Sequence, residues 1–393
     1  MKKNDIKIPG KTALFVFLPF IFLSFLSGLS WLGLVLLMAV VLFVLVKWLG
    51  RQLFKQSRGK NASYLAYFLI TILTAIFIRL FVVEIFMVPS NSMEETIHPG
   101  DVILVNKLAM GPVMPRSPME IPLVNLVCYA FTREIPPDSL WWGYKKLSGF
   151  STIQSGDVVV FHHHHPRRRG KIFVKRCGGL PGDTLQIINS VVTVNDKQPL
   201  ERETTKKQYL VFAADKAQAK QILQKRSIHY HTRGDTLFCK LTVIQAKNLR
   251  YQAGIDSLVC KSIRYFNKGN MFPHTKNINW TMDNFGPMVI PEKGMRIKLN
   301  SHNYDIYKKA VNLLEGTALS KAGEGYLVNG IPAGWYTFQN DYYFMIGDYR
   351  TVSFDSRYWG FLPHERIIGK VSLVLFSVKN KNWNWNRLLK RIQ

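Results

Sequence analysis

Cysteine is scarce in this 393-residue chain: Cys128, Cys177, Cys239 and Cys260 are all there is, and no two form a CxxC pair. That spacing excludes a metal knuckle and a thioredoxin-type redox centre. A disulfide is permitted if the domain lies outside the cytoplasm, with Cys239 and Cys260 the pair to test first. Acidic residues are also few, 25 against 52 Lys and Arg, for a net charge of +27. The imbalance implies an anionic partner, nucleic acid or anionic lipid. Zinc-finger and RRM-like patterns are both missing, and with them any nucleic-acid motif, which leaves lipid.

Charge is missing altogether from Thr12 to Val46, a run of 35 residues. As one helix it would be about 52 Å long, against a hydrocarbon core of roughly 30 Å. Two spans fit that length, with a turn near Ser27-Gly28-Leu29-Ser30. A third apolar segment runs from Ala62 to about Val83, with Arg79 able to snorkel towards the head groups. Lys2, Lys3, Lys7 and Lys11 precede the first span, and Lys47, Arg51, Lys55, Arg58 and Lys60 precede the third. Basic flanks mark the cytoplasmic side. The expected topology is therefore a hairpin plus one more crossing, with everything after residue 84 on the outer face. The apolar run is too long for a cleavable signal peptide, so it reads as a retained anchor.

Beyond the third span, short β-like runs alternate with Gly/Pro turns: Val102–Val105 after Pro99-Gly100-Asp101, Asp157–Phe161 after Ser155-Gly156, and Lys171–Arg176 before Gly178-Gly179-Leu180-Pro181-Gly182-Asp183. Val191–Val194 and Val371–Phe376 continue the pattern. Such punctuation predicts a mainly β fold, an antiparallel barrel-like domain. Two stretches interrupt it. Residues 112–154 hold six prolines and Trp141-Trp142, and residues 196–335 are Lys- and Gln-rich, with helices expected over Ala213–Arg226 and near Tyr304–Leu314. The run His162–His165 followed by Pro166 and Arg167–Arg169 reads as a solvated hairpin tip, with metal or anionic lipid the alternatives.

Two segments could carry chemistry. Pro89-Ser90-Asn91-Ser92-Met93 is a small-residue turn that can expose a hydroxyl beside backbone N–H groups, as acyl transfer requires. In Phe173-Val174-Lys175-Arg176-Cys177, a strand would place Phe173, Lys175 and Cys177 on one face, and burial there would depress the lysine pKa. On these residues alone, a solvated Ser-rich turn and a snorkelling surface lysine explain the pattern at least as well.

Three blocks, in this order, resemble the bacterial type I signal peptidase (leader peptidase) family. The first is Pro89-Ser90-Asn91-Ser92-Met93 followed by Gly100-Asp101-Val102-Ile103-Leu104-Val105-Asn106-Lys107. The second is Gly156-Asp157-Val158-Val159 followed by Val174-Lys175-Arg176-Cys177-Gly178-Gly179-Leu180-Pro181-Gly182-Asp183. The third is Gly347-Asp348-Tyr349-Arg350, then Ser353-Phe354-Asp355-Ser356-Arg357-Tyr358-Trp359-Gly360. The resemblance implies a membrane-anchored serine endopeptidase that removes signal peptides from exported precursors, with Ser92 as nucleophile and Lys175 as general base. It implies an oxyanion hole from the Ser92 N–H and the Ser90 hydroxyl, and Ser353 as the lysine's orienting partner. Asp348, Arg350, Asp355, Arg357 and Arg176 would brace the site as charged pairs. Phe86, Val88, Pro89, Met93, Phe173 and Val174 match positions that line shallow pockets for small substrate side chains. Neither a metal nor a cofactor is implied. The expected partners are precursor proteins and membrane lipid, and the expected location is the bacterial cytoplasmic membrane, with the catalytic domain on its outer face. The alternatives are a specialised pilin- or secretion-type peptidase of the same superfamily and a non-catalytic membrane-anchored binding protein.

The chain departs from the family pattern in places. Asn91 stands where glycine is usual, and Tyr349, Thr351 and Val352 replace the common Asn, Asp and Asn. The expected organisation is a hairpin and cytoplasmic loop over 1–61, a third helix over 62–83, and catalytic β segments at 84–111, 155–195 and 336–378. Insertions fill 112–154 and 196–335, and a Trp/basic tail occupies 379–393 with Trp383 and Trp385 placed to rest on lipid.

Overall fold

The computed structural model describes residues 70–125, 128, 142–163, 171–197, 201–234, 236–261, 271–379 and 382–392, and single positions at 19, 22 and 40. The two spans expected within Thr12–Val46, the loop after them and the start of the third span lie outside the described residues. Among the described residues no helix is long and apolar enough to cross a membrane. Helix from Ile70 loosens into a π-helical turn at Ile78–Val82 and passes straight into the strand Val83–Met87.

The chain divides into two compact units, Met1–Glu84 with Asn106–Phe150, and Ile85–Val105 with Ser151–Gln393. In the first, Val113 and Lys146 form an antiparallel bridge, and Lys107 pairs with Glu84 at 3.1 Å. Gly111 and Gly149 are needed there, because a Cβ on Gly111 would lie 1.9 Å from the Leu147 carbonyl oxygen.

The second unit is mainly β, and its principal sheet is antiparallel and curled into a half-barrel. The strand order is Val83–Met87, Asp101–Asn106, Ile367–Lys379, Val158–His162, Ile172–Gly179, Tyr342–Ile346, Leu362–Pro363. Asp101–Asn106 and Tyr342–Ile346 are buried at every position. Continuous burial marks a strand covered on both faces, and it accounts for their near-continuous apolar sequence. Val88, Met93, Ile97, Ile103, Val105, Val158, Val160, Ile368, Val371 and Val374 form one core cluster against these strands. Strand Ile367–Lys379 runs 13 residues, well beyond the apolar run visible in the sequence, and it joins the two halves of the sheet.

The long interruption has structure of its own. Lys206–Phe212, Tyr230–Arg233, Thr236–Thr242 and Ser257–Cys260 make a four-stranded antiparallel sheet with its own buried core. Its first helix, Lys216–Lys225, starts later than expected because Asp215 caps it, accepting from the N–H groups of Ala217 and Gln218. A second helix, Val243–Arg250, opens on a Thr242/Gln245 capping box. The chain rejoins the catalytic β segments well before residue 336: Phe285–Val289 pairs with Thr184–Ile188, which pairs with Val191–Val194. The helix expected near Tyr304–Leu314 spans Ser301–Leu314, capped by Asn300.

The register rules out the suggested disulfide. Cys239 and Cys260 both face Tyr209, from opposite sides of the Lys206–Phe212 strand. Two strand spacings, about 10 Å, separate them, beyond the Cα–Cα range a disulfide tolerates. Both thiols are free.

Candidate active site

Strand Val83–Met87 leads into a turn that is pinned at both ends. The Val88 N–H donates to Asp101 O (2.9 Å), and the Ile97 N–H donates to Met93 O (2.8 Å). Val88, Met93 and Ile97 sink into the core, which fixes Ser92 between two anchored neighbours. Asn91 does not need the glycine usual at its position, since its φ is not positive. The unusual residue is Glu95, at φ 78°. A left-handed conformation costs a non-glycine residue roughly 1–2 kcal/mol, so neighbouring contacts must hold it.

Lys175 comes from the other half of the sheet, mid-strand and opposite Val159. Its Nζ donates to Ser92 Oγ at 2.6 Å and to the Val174 carbonyl at 2.9 Å. It also lies 5.4 Å from the Phe173 ring centroid, on the face shared with Phe173. Lys175 is 4% exposed. Burial pulls its pKa down to about 8, against the opposing charges of Asp355 and Asp348. An amine in that range is still mainly protonated near physiological pH, but it keeps a neutral fraction far larger than a solvated lysine would, and that fraction can take a proton from the hydroxyl it touches. On the same face, burial pushes the Cys177 thiol up to about 12, which makes it an inert filler.

Behind the pair sits a buried charged lattice. Arg176 grips Asp348 bidentately, Nε to Oδ1 at 2.7 Å and the second nitrogen to Oδ2 at 2.6 Å. Thr96 adds a 2.6 Å hydrogen bond to the same carboxylate. Burial would raise the Asp348 pKa, but the Arg176 hydrogen bonds and charge outweigh it and hold the carboxyl below its usual range. Arg357 grips Asp355 in the same way at 2.9 and 2.8 Å, and the Gly347 N–H donates to Asp355 at 3.0 Å. For Asp355, too, burial is outweighed by Arg357, so its pKa is lowered. Arg350 has no carboxylate within ion-pair distance among the described residues. It donates to the Gly347 carbonyl at 3.0 Å, and burial with the nearby Arg357 charge lowers its pKa to about 10.

The serines divide. Ser90 Oγ lies 3.5 Å from Ser92 Oγ and is exposed. Nothing among the described residues accepts from the Ser92 N–H, while the Ser92 carbonyl accepts from the Tyr349 N–H at 3.1 Å. Ser353 is buried beside Gly347, and its hydroxyl helps hold the Asp355 pKa down, but it forms no hydrogen bond of normal geometry, to Lys175 or to any other group. The lysine is held instead by Ser92 and Val174. Of the six apolar residues expected to line pockets, Val88 and Met93 belong to the packed core, Phe86, Phe173 and Val174 are partly accessible, and Pro89 is exposed.

Two further residues support this site, and of these only Arg387 carried no sequence signal. Arg387, far downstream, grips Asp101 through Nε at 2.8 Å and also donates to the Thr96 carbonyl at 2.9 Å. Gly347 touches Ser92 from behind. The histidine run also resolves into something else: His163 is fully buried, 4.6 Å from the Phe173 ring and 5.3 Å from that of Trp359. Residues 164–170 lie outside the described residues, and no cluster of three metal-ligating side chains occurs among those described.

The family described as signal peptidase, peptidase S26, matches residues 61–240 and 285–376. Signal peptidase I of Buchnera aphidicola subsp. Baizongia pistaciae is 25% identical over 337 residues, 85% of this chain and 82% of that protein. Signal peptidase I of Helicobacter pylori is 23% identical over 313 residues, 79% of this chain and 81% of the relative. Signal peptidase I of Pseudomonas aeruginosa reaches 35% over a shorter stretch of 109 residues, 28% of either chain. The matched segments contain Ser92, Lys175 and the whole charged lattice, and this chain is a hydrolase belonging to the signal peptidase family, peptidase S26.

Proposed function

We propose that this protein cleaves N-terminal signal peptides from exported precursors through a Ser92/Lys175 dyad, as a peptidase anchored in the bacterial cytoplasmic membrane with its catalytic domain on the outer face. The observation that carries the reading is the 2.6 Å contact between a buried Lys175 amine and the Ser92 hydroxyl, with the amine pKa near 8. Neutral Lys175 takes the Ser92 proton as Oγ attacks the scissile carbonyl. The unpartnered Ser92 N–H and the Ser90 hydroxyl are the donors nearest the developing oxyanion. The protonated lysine then returns its proton to the leaving amine. Water, activated by the same lysine, releases the acyl group. The charged lattice does no chemistry itself; through Thr96, which bonds to Asp348 and Arg176, it ties the segment after Ser92 to the Lys175 side.

The apolar, basic-flanked N-terminal segments support anchoring, and Trp383 and Trp385, 55% and 70% exposed and stacked at 5.7 Å, support lipid contact. The test is cleavage of a model precursor by the full-length protein. Ser92→Ala should abolish it while leaving the protein folded and membrane-inserted. Cleavage at the wild-type rate by Ser92→Ala would remove the serine from the mechanism.

A further inference from the structure

Lys206 opens the first strand of the inserted four-stranded sheet, yet its backbone bonds to Asp348 and Arg350 and its side chain reaches the turn that follows Ser92. Its N–H donates to the Asp348 carbonyl at 2.9 Å, and its own carbonyl accepts from the Arg350 N–H at 2.9 Å. These two bonds make Lys206 and Tyr349 parallel bridge partners. Tyr349, held between them, donates its N–H to the Ser92 carbonyl at 3.1 Å. The Lys206 side chain then reaches past Tyr349 to the residues that follow Ser92. Its Nζ lies 3.2 Å from Glu95 and 3.5 Å from Glu94. Glu95 is the left-handed residue of that turn, and this contact gives its strained backbone an external tether. On its way the amine passes 5.1 Å from the Tyr349 ring centroid, and Lys240 of the same inserted sheet approaches that ring to 5.7 Å.

An exposed ion pair would deserve little weight. This one differs in that the lysine backbone is already fixed at both its N–H and its carbonyl, its side chain is only 17% exposed, and Tyr349 is buried. The ring also accounts for a departure noted in the sequence. Tyr349 stands where the resembled family commonly has Asn, and here it is the seat on which two lysines of the inserted sheet rest.

We propose that Lys206 is a positioning residue for the Ser92 hydroxyl, and that through Lys206 and Tyr349 the inserted four-stranded sheet is a working part of the catalytic machinery. The inference rests on the Ser92/Lys175 reading. A nucleophile displaced by an ångström loses about 10²-fold in rate, and binding determinants elsewhere are untouched. The expected signature is therefore in kcat and not in KM.

The experiment uses the full-length protein in detergent micelles with a model precursor, comparing Lys206→Met, Lys206→Arg, Tyr349→Leu and the Lys206→Met/Tyr349→Leu double variant. Lys206→Met should lower kcat about 10- to 100-fold with KM within about twofold. Its activity should keep the wild-type pH midpoint, since Lys206 is not among the charges that set the Lys175 pKa. Lys206→Arg, which retains the charge and the ring contact, should recover most of the loss. Tyr349→Leu keeps the N–H to Ser92 but removes the ring; it should also lower kcat, and the double variant should be no worse than the weaker single. A kcat for Lys206→Met within twofold of wild type overturns the proposal, as does a loss that Lys206→Arg fails to recover. If Lys206→Met folds poorly, Lys206→Arg and Tyr349→Leu still decide, because equal kcat loss in both, or in neither, contradicts the proposed geometry. Ser92→Ala run alongside separates the two levels: its retained activity would remove the dyad, whereas a dead Ser92→Ala beside a fully active Lys206→Met removes only the positioning role.

Discussion

Gly347 lies directly against Ser92: a Cβ built on Gly347 would fall 2.6 Å from the Ser92 carbonyl oxygen and 2.1 Å from Ser353 Oγ. The Ser353 hydroxyl can rotate away, but its Cβ, 2.5 Å off, stays where it is, and the Ser92 backbone cannot move without carrying its hydroxyl off Lys175. Gly347→Ala is therefore expected to cost about 1–3 kcal/mol of stability through overpacking and to lower kcat by more than its effect on melting temperature would suggest. Thermal melts alongside precursor cleavage check this, and an alanine variant with wild-type kcat would mean that the turn has slack the contacts do not show.

Lys175→Arg keeps a positive charge but cannot deprotonate at any working pH. It is expected to lose cleavage as completely as Ser92→Ala, since two groups acting as a unit fail together. In the wild type, kcat/KM should rise with pH through an apparent midpoint near 8, following the neutral fraction of Lys175. A midpoint near 10.5 would place the lysine in water and contradict its burial.

The same depressed pKa makes Lys175 a stability liability. Between about 8 and 10.5 the unfolded chain binds more protons at this site than the folded chain, so stability rises with pH across that window. Below 8 the penalty is present in full, on the order of 3 kcal/mol for a shift of this size. Lys175→Met, inactive but apolar and similar in length, should be more heat-stable than wild type at pH 7, and the advantage should shrink as pH approaches 10.5. Urea midpoints at both ends of the window test this. A methionine variant less stable than wild type at pH 7 would show that the Ser92 and Val174 hydrogen bonds outweigh desolvation.

Arg176 and Asp348 form a doubly hydrogen-bonded pair that is almost fully buried. Removing one partner strands the other charge, which typically costs about 3–5 kcal/mol. Arg176→Ala should therefore fail by unfolding, with its melting temperature lowered along with activity. A merely inactive but fully stable Arg176→Ala would reassign this arginine from bracing to chemistry.

Trp383 and Trp385 offer an exposed aromatic pair beside Lys390 and Arg391. Replacing both with Ala should weaken binding of a form lacking the first 83 residues to vesicles of anionic lipid, with little change in melting temperature. Equal binding with and without the tryptophans would transfer lipid contact to other surfaces.

The sequence was informative wherever chemistry forces residue types into short runs. The Ser92 turn, the Lys175 strand and the Asp355/Arg357 segment were all visible as motifs, and all converge in space. Two helices of the long interruption were expected near where they lie, since their caps and apolar spacing are local, whereas Val243–Arg250 was not expected. The sheet of that interruption was not expected either, because Lys206–Phe212 and Thr236–Thr242 mix lysines and threonines with apolar residues, and their partners, Ser257–Cys260 and Tyr230–Arg233, are short strands of the same insertion. Lys175 lies on the same face as Phe173, and the hydrogen bond beside its contact with Ser92 goes to the Val174 carbonyl rather than to Ser353. Backbone acceptors leave no trace in residue identity. Arg387 was legible only as one more basic residue in a tail, since nothing local announces a carboxylate 286 positions away.

The strand Ile367–Lys379 lies between Asp101–Asn106, on the Ser92 side, and Val158–His162, on the Lys175 side. Among the described residues no other strand joins the two halves of that sheet. A chain synthesised from its N-terminus thus carries Ser92 and Lys175 long before it makes the segment that registers them against each other. The fold is dominated by a pairing of very high sequence separation, which is slow to form. Its consequence is temporal: during synthesis the unfinished polypeptide has a serine and a lysine but no peptidase, and activity can begin only after nearly the whole length has been delivered and the last long strand has slotted in.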